Sequence, residues 1–480
     1  MAHTTKNYRR VEPDHIHDVR SNALGLGGLY SIEVELARLI GQWIARFPEF
    51  PEKLSLAEIV YEEAVHAQML EDRLLELRTN EDDLVHLRSR TAPVFLHLEQ
   101  LDDPYKFLSG LFRVVKPALQ ADLRSHLDAC PPYVDTPTIR MLKRILQEED
   151  KHIATGLSLL AERNIAWSDT LDLEFELRSG LWDLNDPEGS FLSGSFVGRE
   201  PIALPVPVWP AAVEYLSTDK PMPDWPVGHK EEMQRCVHEL VFSELEALDI
   251  FGRYVYEFSG FPWEFYVEAA RLCWDEARHV ELLLNVLERY DGEVGQWPAN
   301  APGYEEMVRC PTVLEKIMMV NVIAEGEYST DTQTQHREAF KQLGDDLSAL
   351  LKDYEMADEI VHGRFGIKWA HWLADQTGED FEDAYTAAKQ SLEEFKAKYA
   401  DDSLGSGESS NMSSIVNIPL IRLGPEETES TRLVNASAKR LVGFSEEQIS
   451  EMTSDASEVI DKIEERKDGD SGTFGTFFGI

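Results

Sequence analysis

Apolar residues recur at spacings of three and four along most of the chain. Between Leu29 and Arg78 the series Leu36, Leu39, Ile40, Trp43, Ile44 marks the buried stripe of a helix. The break at Phe47–Pro51 divides that stretch into the two arms of a helical hairpin. A second helical region runs from Pro104 to about Asn164, interrupted at Pro131–Pro132. Helical periodicity resumes near His229 and continues to Ala400, and strand-like alternation is sparse throughout. The pattern predicts an all-α protein.

Between these regions the punctuation changes. Pro201, Pro205, Pro207, Pro210, Pro221, Pro223 and Pro226 crowd one short stretch, which predicts an extended, semi-rigid connector. Trp209 and Trp225 within it predict that it packs on a surface. From Asp401 to Ser414 the chain is rich in Gly and Ser, as a flexible linker is. Ser445-Glu-Glu-Gln448 is a capping-box signature that opens a short helix. The organisation expected is a helical domain over 1–180, a connector over 181–228, a second helical domain over 229–400 and a flexible tail over 401–480.

Charge narrows the partners. The 480 residues carry 46 Lys plus Arg against 88 Asp plus Glu, a formal net charge of −42. Such a surface repels phosphate backbones and anionic lipid and attracts cations, so neither nucleic acid nor a membrane is expected as partner. The four cysteines, Cys130, Cys236, Cys273 and Cys310, form no C-x-x-C pair. That excludes a zinc-thiolate motif and a disulfide framework and suits a reducing compartment. Met1–Pro13 is polar and lacks the apolar stretch of a signal peptide, so a cytoplasmic location is expected.

Four E-x-x-H pairs stand out: Glu63/His66, Glu149/His152, Glu276/His279 and Glu359/His362. Residues three apart share a helix face, so each pair can present a carboxylate and an imidazole to one point. A lone pair of this kind is usually a solvated helix face, but here the order matters. A dinuclear carboxylate site in a four-helix bundle takes a Glu from each of two helices and an E-x-x-H from each of the other two. The second half supplies Glu244, then Glu276/His279, then Glu325, then Glu359/His362. The intervals Glu244–Glu276 and Glu325–Glu359, 32 and 34 residues, each suit two antiparallel helices and a short loop. Carboxylate oxygen and imidazole suit iron and manganese.

The first half repeats part of this order. Ser31-Ile-Glu33-Val-Glu35 matches Phe242-Ser-Glu244-Leu-Glu246 at the two acids, and Gly41 and Phe50-Pro51 match Gly252 and Phe261-Pro262. The chain is therefore an internal duplication. The copy lacks one acid: no Glu lies between Glu99 and Glu148, and the position equivalent to Glu325 falls near Lys116. Asp122 is the nearest substitute. Metal binding in the first half is accordingly expected to be the weaker.

The second half resembles the ferritin-like superfamily. Within it the chain is most similar to a family catalogued only as a domain of unknown function. Asp275-Glu-Ala-Arg-His279 and Asp358-Glu-Ile-Val-His362-Gly-Arg-Phe-Gly366-Ile-Lys-Trp369 carry that resemblance, over about Glu231 to Ala374. It implies a tandem of ferritin-like four-helix bundles. It also implies metal ligands at Glu244, Glu276, His279, Glu325, Glu359 and His362, with Glu327 a competitor for Glu325. The first half resembles the superfamily more loosely, through Glu33, Glu63, His66, Glu149 and His152. His238 and His371 read as packed histidines.

The function this implies is a non-haem oxidase or oxygenase with two iron ions, or manganese and iron. Glu276 and Glu359 would be the bridging, catalytic carboxylates and O2 the co-substrate. A small molecule or a peptide would be the substrate, an external reductant a partner, and a homo-oligomer is compatible. A ferroxidase, a peptide-modifying oxidase whose own tail is the substrate, and a catalytically silent scaffold are the alternatives. The tail enters because Arg432–Ile480, with Gly443-Phe-Ser-Glu-Glu-Gln-Ile449 and a Gly/Thr/Phe terminus, resembles the leader and core of ribosomal peptide precursors.

Overall fold

The computed structural model describes residues 17–193, 200–217, 229–328 and 343–402, together with 333, 336–338, 340, 341, 445–448 and 450. The described chain is helical. Its strand content is a two-residue antiparallel pairing of Arg90–Thr91 with Leu192–Ser193 and a single bridge between Tyr215 and Ala299. No helix among the described residues is long and apolar enough to cross a membrane. Trp225, most of the expected linker and nearly all of the tail lie outside the described residues. At Ser445 the capping box is present: Ser445 N–H donates to Gln448 Oε1 and Gln448 N–H to Ser445 Oγ, 2.8 and 3.2 Å.

The chain divides into two compact units, one of residues up to Ile202 with Gly252–Ala270, the other of Ala203–Phe251 with the residues from Arg271 onward. In the first unit α1 (Val19–Ile44) starts ten residues before the apolar stripe suggested, because Asp18 caps it by accepting from Ser21 N–H at 2.7 Å. From Leu26 to Ile44 it is buried on every side. α2 (Phe50–Glu76) carries Pro51 in its first turn, where a missing N–H costs nothing. Its buried stripe, Leu56, Ile59, Val60, Glu63, His66, Ala67, Leu70, Leu74, includes the first E-x-x-H pair.

The next helical run is continuous but changes winding. α3 (Pro104–Gly110) passes into a π-helical segment, Leu111–Val115, and then into α4 (Lys116–Ala129). After the Pro131–Pro132 break comes α5 (Thr136–Glu162), whose stripe Leu142, Ile145, Leu146, Glu149, His152, Gly156, Leu159, Leu160 includes the second pair. α1 packs on α2, α2 on α5, α5 on α4, and α4 on α1.

In the second unit α6 (His229–Glu257) and α7 (Trp263–Arg289) contribute their stems, linked where Cys273 Sγ meets the Leu248 carbonyl at 3.5 Å. Trp209 of the connector is buried against Phe242, ring centroids 4.7 Å apart. α8 (Val313–Ile317), capped by Thr312 and Glu315, runs straight into a second π-helical segment, Met318–Tyr328. α9 (Asp346–Thr377) begins at the Asp345 cap and ends at Gly378, whose φ of 76° is the left-handed turn glycine accommodates. α10 (Phe381–Asp402) follows. It carries the helix two residues into the stretch read as linker.

The second π segment packs along α9 and α10. A Cβ on Gly366 would lie 2.7 Å from Asn321 Cβ and 2.8 Å from its carbonyl carbon. Only glycine allows this approach, and it sets the distance between Glu325 and His362. Gly156 does the same in the first unit, where a Cβ would lie 2.0 Å from the Phe112 ring. Both glycines follow the pair histidine by four residues, one turn along the same face.

Candidate metal centres

In the second unit four helical segments converge on one buried point. α6 brings Glu244, α7 Glu276 and His279, the π segment Glu325, and α9 Glu359 and His362. His279 Nδ1 lies 3.4 Å from Glu244 Oε2 and 3.3 Å from Glu276 Oε2. His362 Nδ1 lies 3.1 Å from Glu276 Oε1, 3.2 Å from Glu325 Oε2 and 3.5 Å from Glu359 Oε2. Two groups form that can each hold a metal ion. Glu244, Glu276, His279 and Glu359 make one, and Glu276, Glu325, Glu359 and His362 the other, with ligand atoms within 4.8 Å of one another in each. Glu276 and Glu359 belong to both. All six expected residues are thus brought together. Glu325 is the one with appreciable side-chain exposure, at 15%. Glu276 Oε1 and Glu359 Oε2 are buried without a hydrogen-bond partner, a costly state that a cation would relieve.

Behind the histidines stand Asp358 and Asp275, the first residues of the two motifs quoted for the resemblance. The acid just before each pair's Glu reaches the histidine of the other pair. Asp358 Oδ2 lies 3.2 Å from His279 Nε2, and Asp275 Oδ2 lies 3.7 Å from His362 Nε2. A carboxylate only accepts, so at His279 Nε2 carries the hydrogen and Nδ1 is turned toward the carboxylate cluster, whereas Asp275, at 3.7 Å, stands behind His362 as a charge and not as a hydrogen-bond partner. The two acids are themselves clamped. Arg271 donates to Asp275 at 2.7 Å, and Arg278 donates to Asp275 and, at 2.9 Å, to Asp358. Both guanidiniums lie 5.3 Å from the Trp274 ring.

The field at this point favours positive charge. Burial pushes Glu276 up to about 7 and holds Glu359, beside Glu325, well above the ordinary carboxylate range. Burial pulls His279 and His362 down, but the surrounding carboxylates outweigh it and hold both well above the ordinary imidazole value. Glu246, two residues past Glu244, is occupied otherwise: it accepts from Tyr304 N–H at 3.0 Å, and burial raises it to about 8.

The first unit repeats this plan with one change. Glu33, Glu63, His66 and Glu149 form a group that can hold a metal ion. The crossed acids recur: Glu148 Oε2 lies 2.8 Å from His66 Nε2 and Glu62 Oε2 2.5 Å from His152 Nε2. Glu35, like Glu246, is occupied, by Arg38 and Thr91 at 2.8 and 2.7 Å. Where the missing acid belongs, directly after the first π segment, Lys116 enters the cluster. Its Nζ binds Glu63, lies 2.6 Å from Glu149 Oε1 and 3.1 Å from His152 Nδ1, and is fully buried. His152 thus faces an ammonium. Asp122 is not a substitute ligand, because it accepts from Trp182 Nε1 at 2.8 Å.

Other histidines are structural or unassigned by motif. His238 Nε2 accepts from Gly295 N–H at 3.1 Å, and His371 stacks on Phe381 at 3.8 Å. His336, which no motif marked, is buried with both ring nitrogens lacking a hydrogen-bond partner. Burial and the Lys352 charge bring it to about 3. The side chain of Glu327, the expected competitor of Glu325, lies outside the described residues.

Residues 186–401 match a family described as "Protein of unknown function (DUF455)". No curated protein and no solved structure matches the chain. The matched span contains every residue of the second-unit cluster and none of the first.

Proposed function

We propose that the second unit is a dinuclear non-haem metal centre, iron with iron or manganese with iron, on a ferritin-like four-helix frame, and that it oxidises an organic substrate with O2. The observation that carries this reading is the sharing of Glu276 and Glu359 between two buried metal-capable groups. Each group offers three carboxylates and one imidazole, a hard donor set suited to those metals. Four carboxylates, Glu244, Glu276, Glu325 and Glu359, supply the negative charge that two divalent cations neutralise.

When bound, such ions supply the redox chemistry by which O2 is reduced as the substrate is oxidised. The protein's part is positional. Glu276 and Glu359, which belong to both groups, would hold both ions. Asp358 fixes the tautomer and direction of His279, and Asp275 places a negative charge behind His362. Burial of the cluster keeps bulk water away. O2 is the oxidant, and an external two-electron donor balances the reaction when only one oxygen atom enters the product.

The test is oxygen uptake by the iron-loaded full chain with a reductant, read together with mass spectrometry of candidate small molecules and of the terminal peptide Lys467–Ile480. Uptake coupled to an oxidised organic product, abolished by Glu276→Ala, is the expected result. Oxidation of added Fe(II) in large excess, retained as mineral with no organic product, would replace this reading by a ferroxidase.

A further inference from the structure

We propose that the first unit holds a single divalent metal ion on Glu33, Glu63, His66 and Glu149, with the Lys116 ammonium standing as a built-in cation where the second unit provides for another ion.

The ligand atoms are in place and unsatisfied. Glu33 Oε1 and Oε2, Glu63 Oε2, His66 Nδ1 and Glu149 Oε2 are all buried without a hydrogen-bond partner, and all four side chains are fully buried. His66 Nδ1 lies 3.6 Å from Glu33 Oε2 and 3.8 Å from Glu149 Oε1, open enough for an ion between them. Its other nitrogen is fixed by Glu148 at 2.8 Å, the back-side support that metal-bound imidazoles use.

Lys116 takes up the other side. Its Nζ binds one oxygen of Glu63 and one of Glu149 and faces His152 Nδ1, the counterparts of Glu276, Glu359 and His362 in the second unit. Glu63 Oε2 and Glu149 Oε2 are left without a hydrogen-bond partner, and Glu149 Oε1 stands between the two sides, 2.6 Å from Lys116 Nζ and 3.8 Å from His66 Nδ1. Charge closes the argument. Three buried carboxylates face one ammonium, which leaves two negative charges, and one divalent cation neutralises them. A second ion beside Lys116 would be repelled at contact distance. Three hard oxygens and one nitrogen suit Mn(II), Fe(II) or Zn(II).

This does not rest on the proposed function of the second unit. The test uses the full chain carrying Glu276→Ala and Glu359→Ala, stripped with chelator and titrated with Mn(II). It reads ions per chain by elemental analysis and the Mn(II) spectrum by electron paramagnetic resonance. One tightly bound ion with an isolated, uncoupled Mn(II) signal is expected. Adding His66→Ala should abolish it, and adding Lys116→Glu should raise the count to two, with coupling between the ions. Lys116→Asp serves as a second variant should the first fail to fold by circular dichroism. No bound ion, or an ion indifferent to His66→Ala, overturns the site. A coupled pair while Lys116 is intact, or a count that stays at one in a folded Lys116→Glu or Lys116→Asp protein, overturns the role given to Lys116. Were the second unit to bind nothing, the chain without these two substitutions would still hold one His66-dependent ion, so the two readings fail separately.

Discussion

Asp358 Oδ2 lies 3.2 Å from His279 Nε2, although the two residues sit on different helices and belong to different sequence motifs. The carboxylate fixes the imidazole tautomer and adds negative charge behind it. Asp358→Ala is therefore expected to weaken metal binding at the second unit by about 10–100-fold. Asp358→Asn, which still offers an acceptor, should lose less. Competitive titration against a chelator checks this, and equal affinities for all three proteins would contradict it.

Lys116 is fully buried against Glu63 and Glu149. Replacing it with the near-isosteric Met leaves two buried carboxylates without their counter-charge. The metal-free Lys116→Met chain should lose about 3–5 kcal/mol of stability by urea unfolding. Excess Mn(II) should restore part of the loss. A change below about 1 kcal/mol would mean that Lys116 is not the charge that satisfies this cluster.

Gly366 and Gly378 make a matched pair. At Gly366 a Cβ would meet Asn321 backbone at 2.8 and 3.0 Å, whereas at Gly378 nothing lies within 4 Å and the constraint is the φ of 76°. Gly366→Ala should cost about 1–3 kcal/mol and release metal from the second unit, because it pushes α9 off the π segment that carries Glu325. Gly378→Ala should cost about 1 kcal/mol and leave metal binding unchanged. Similar metal loss in both would remove the special role of the Gly366 contact.

These residues show what the sequence reveals and what it hides. The E-x-x-H pairs were legible because a spacing of three puts both side chains on one face, and that face proved to be buried in each helix. All-helical structure followed from periodicity alone. The crossed acids were not legible. A residue one position before the Glu points about 100° away around its own helix and reads as solvated surface; only a neighbouring helix brings it to a histidine. The π segments were hidden for a different reason. Leu111-Phe-Arg-Val-Val115 is buried throughout, so no alternation of polar and apolar residues betrays a change in winding. The repeat between the two halves placed the missing acid near Lys116. That its ammonium enters the cluster rather than leaving it empty required the three-dimensional packing. α1 starts before the apolar stripe does, and Gly25, Gly27 and Gly28 lie within it, where a Cβ on Gly28 would strike Leu184.

Part of the acid sensitivity should come from His126, in addition to His238 and His336, which burial also lowers. Its Nε2 lies 2.7 Å from Asn22 Oδ1, and its ring stacks on His17 at 4.5 Å. Burial, with repulsion from His17, lowers it to about 4, against the small opposing pull of Asp135. The folded protein thus binds fewer protons than the unfolded chain between the folded value and the ordinary imidazole value of about 6.5. Stability from this residue is complete above that ordinary value and is lost as pH falls through the window. The loss approaches roughly 3 kcal/mol once pH is below the folded value. Urea midpoints measured across the window should fall for the unaltered chain more steeply than for His126→Gln. Parallel curves would assign the acid sensitivity elsewhere.

The central claim is that Glu276 and Glu359 hold two ions together. The most direct test is a Mössbauer spectrum of the full chain, carrying His66→Ala to clear the first unit, loaded anaerobically with isotopically enriched iron and then exposed to O2. The account predicts two irons per chain, magnetically coupled, both oxidised by O2, and both lost when Glu276→Ala is added. One isolated iron per chain, or two uncoupled irons that survive Glu276→Ala, would contradict it.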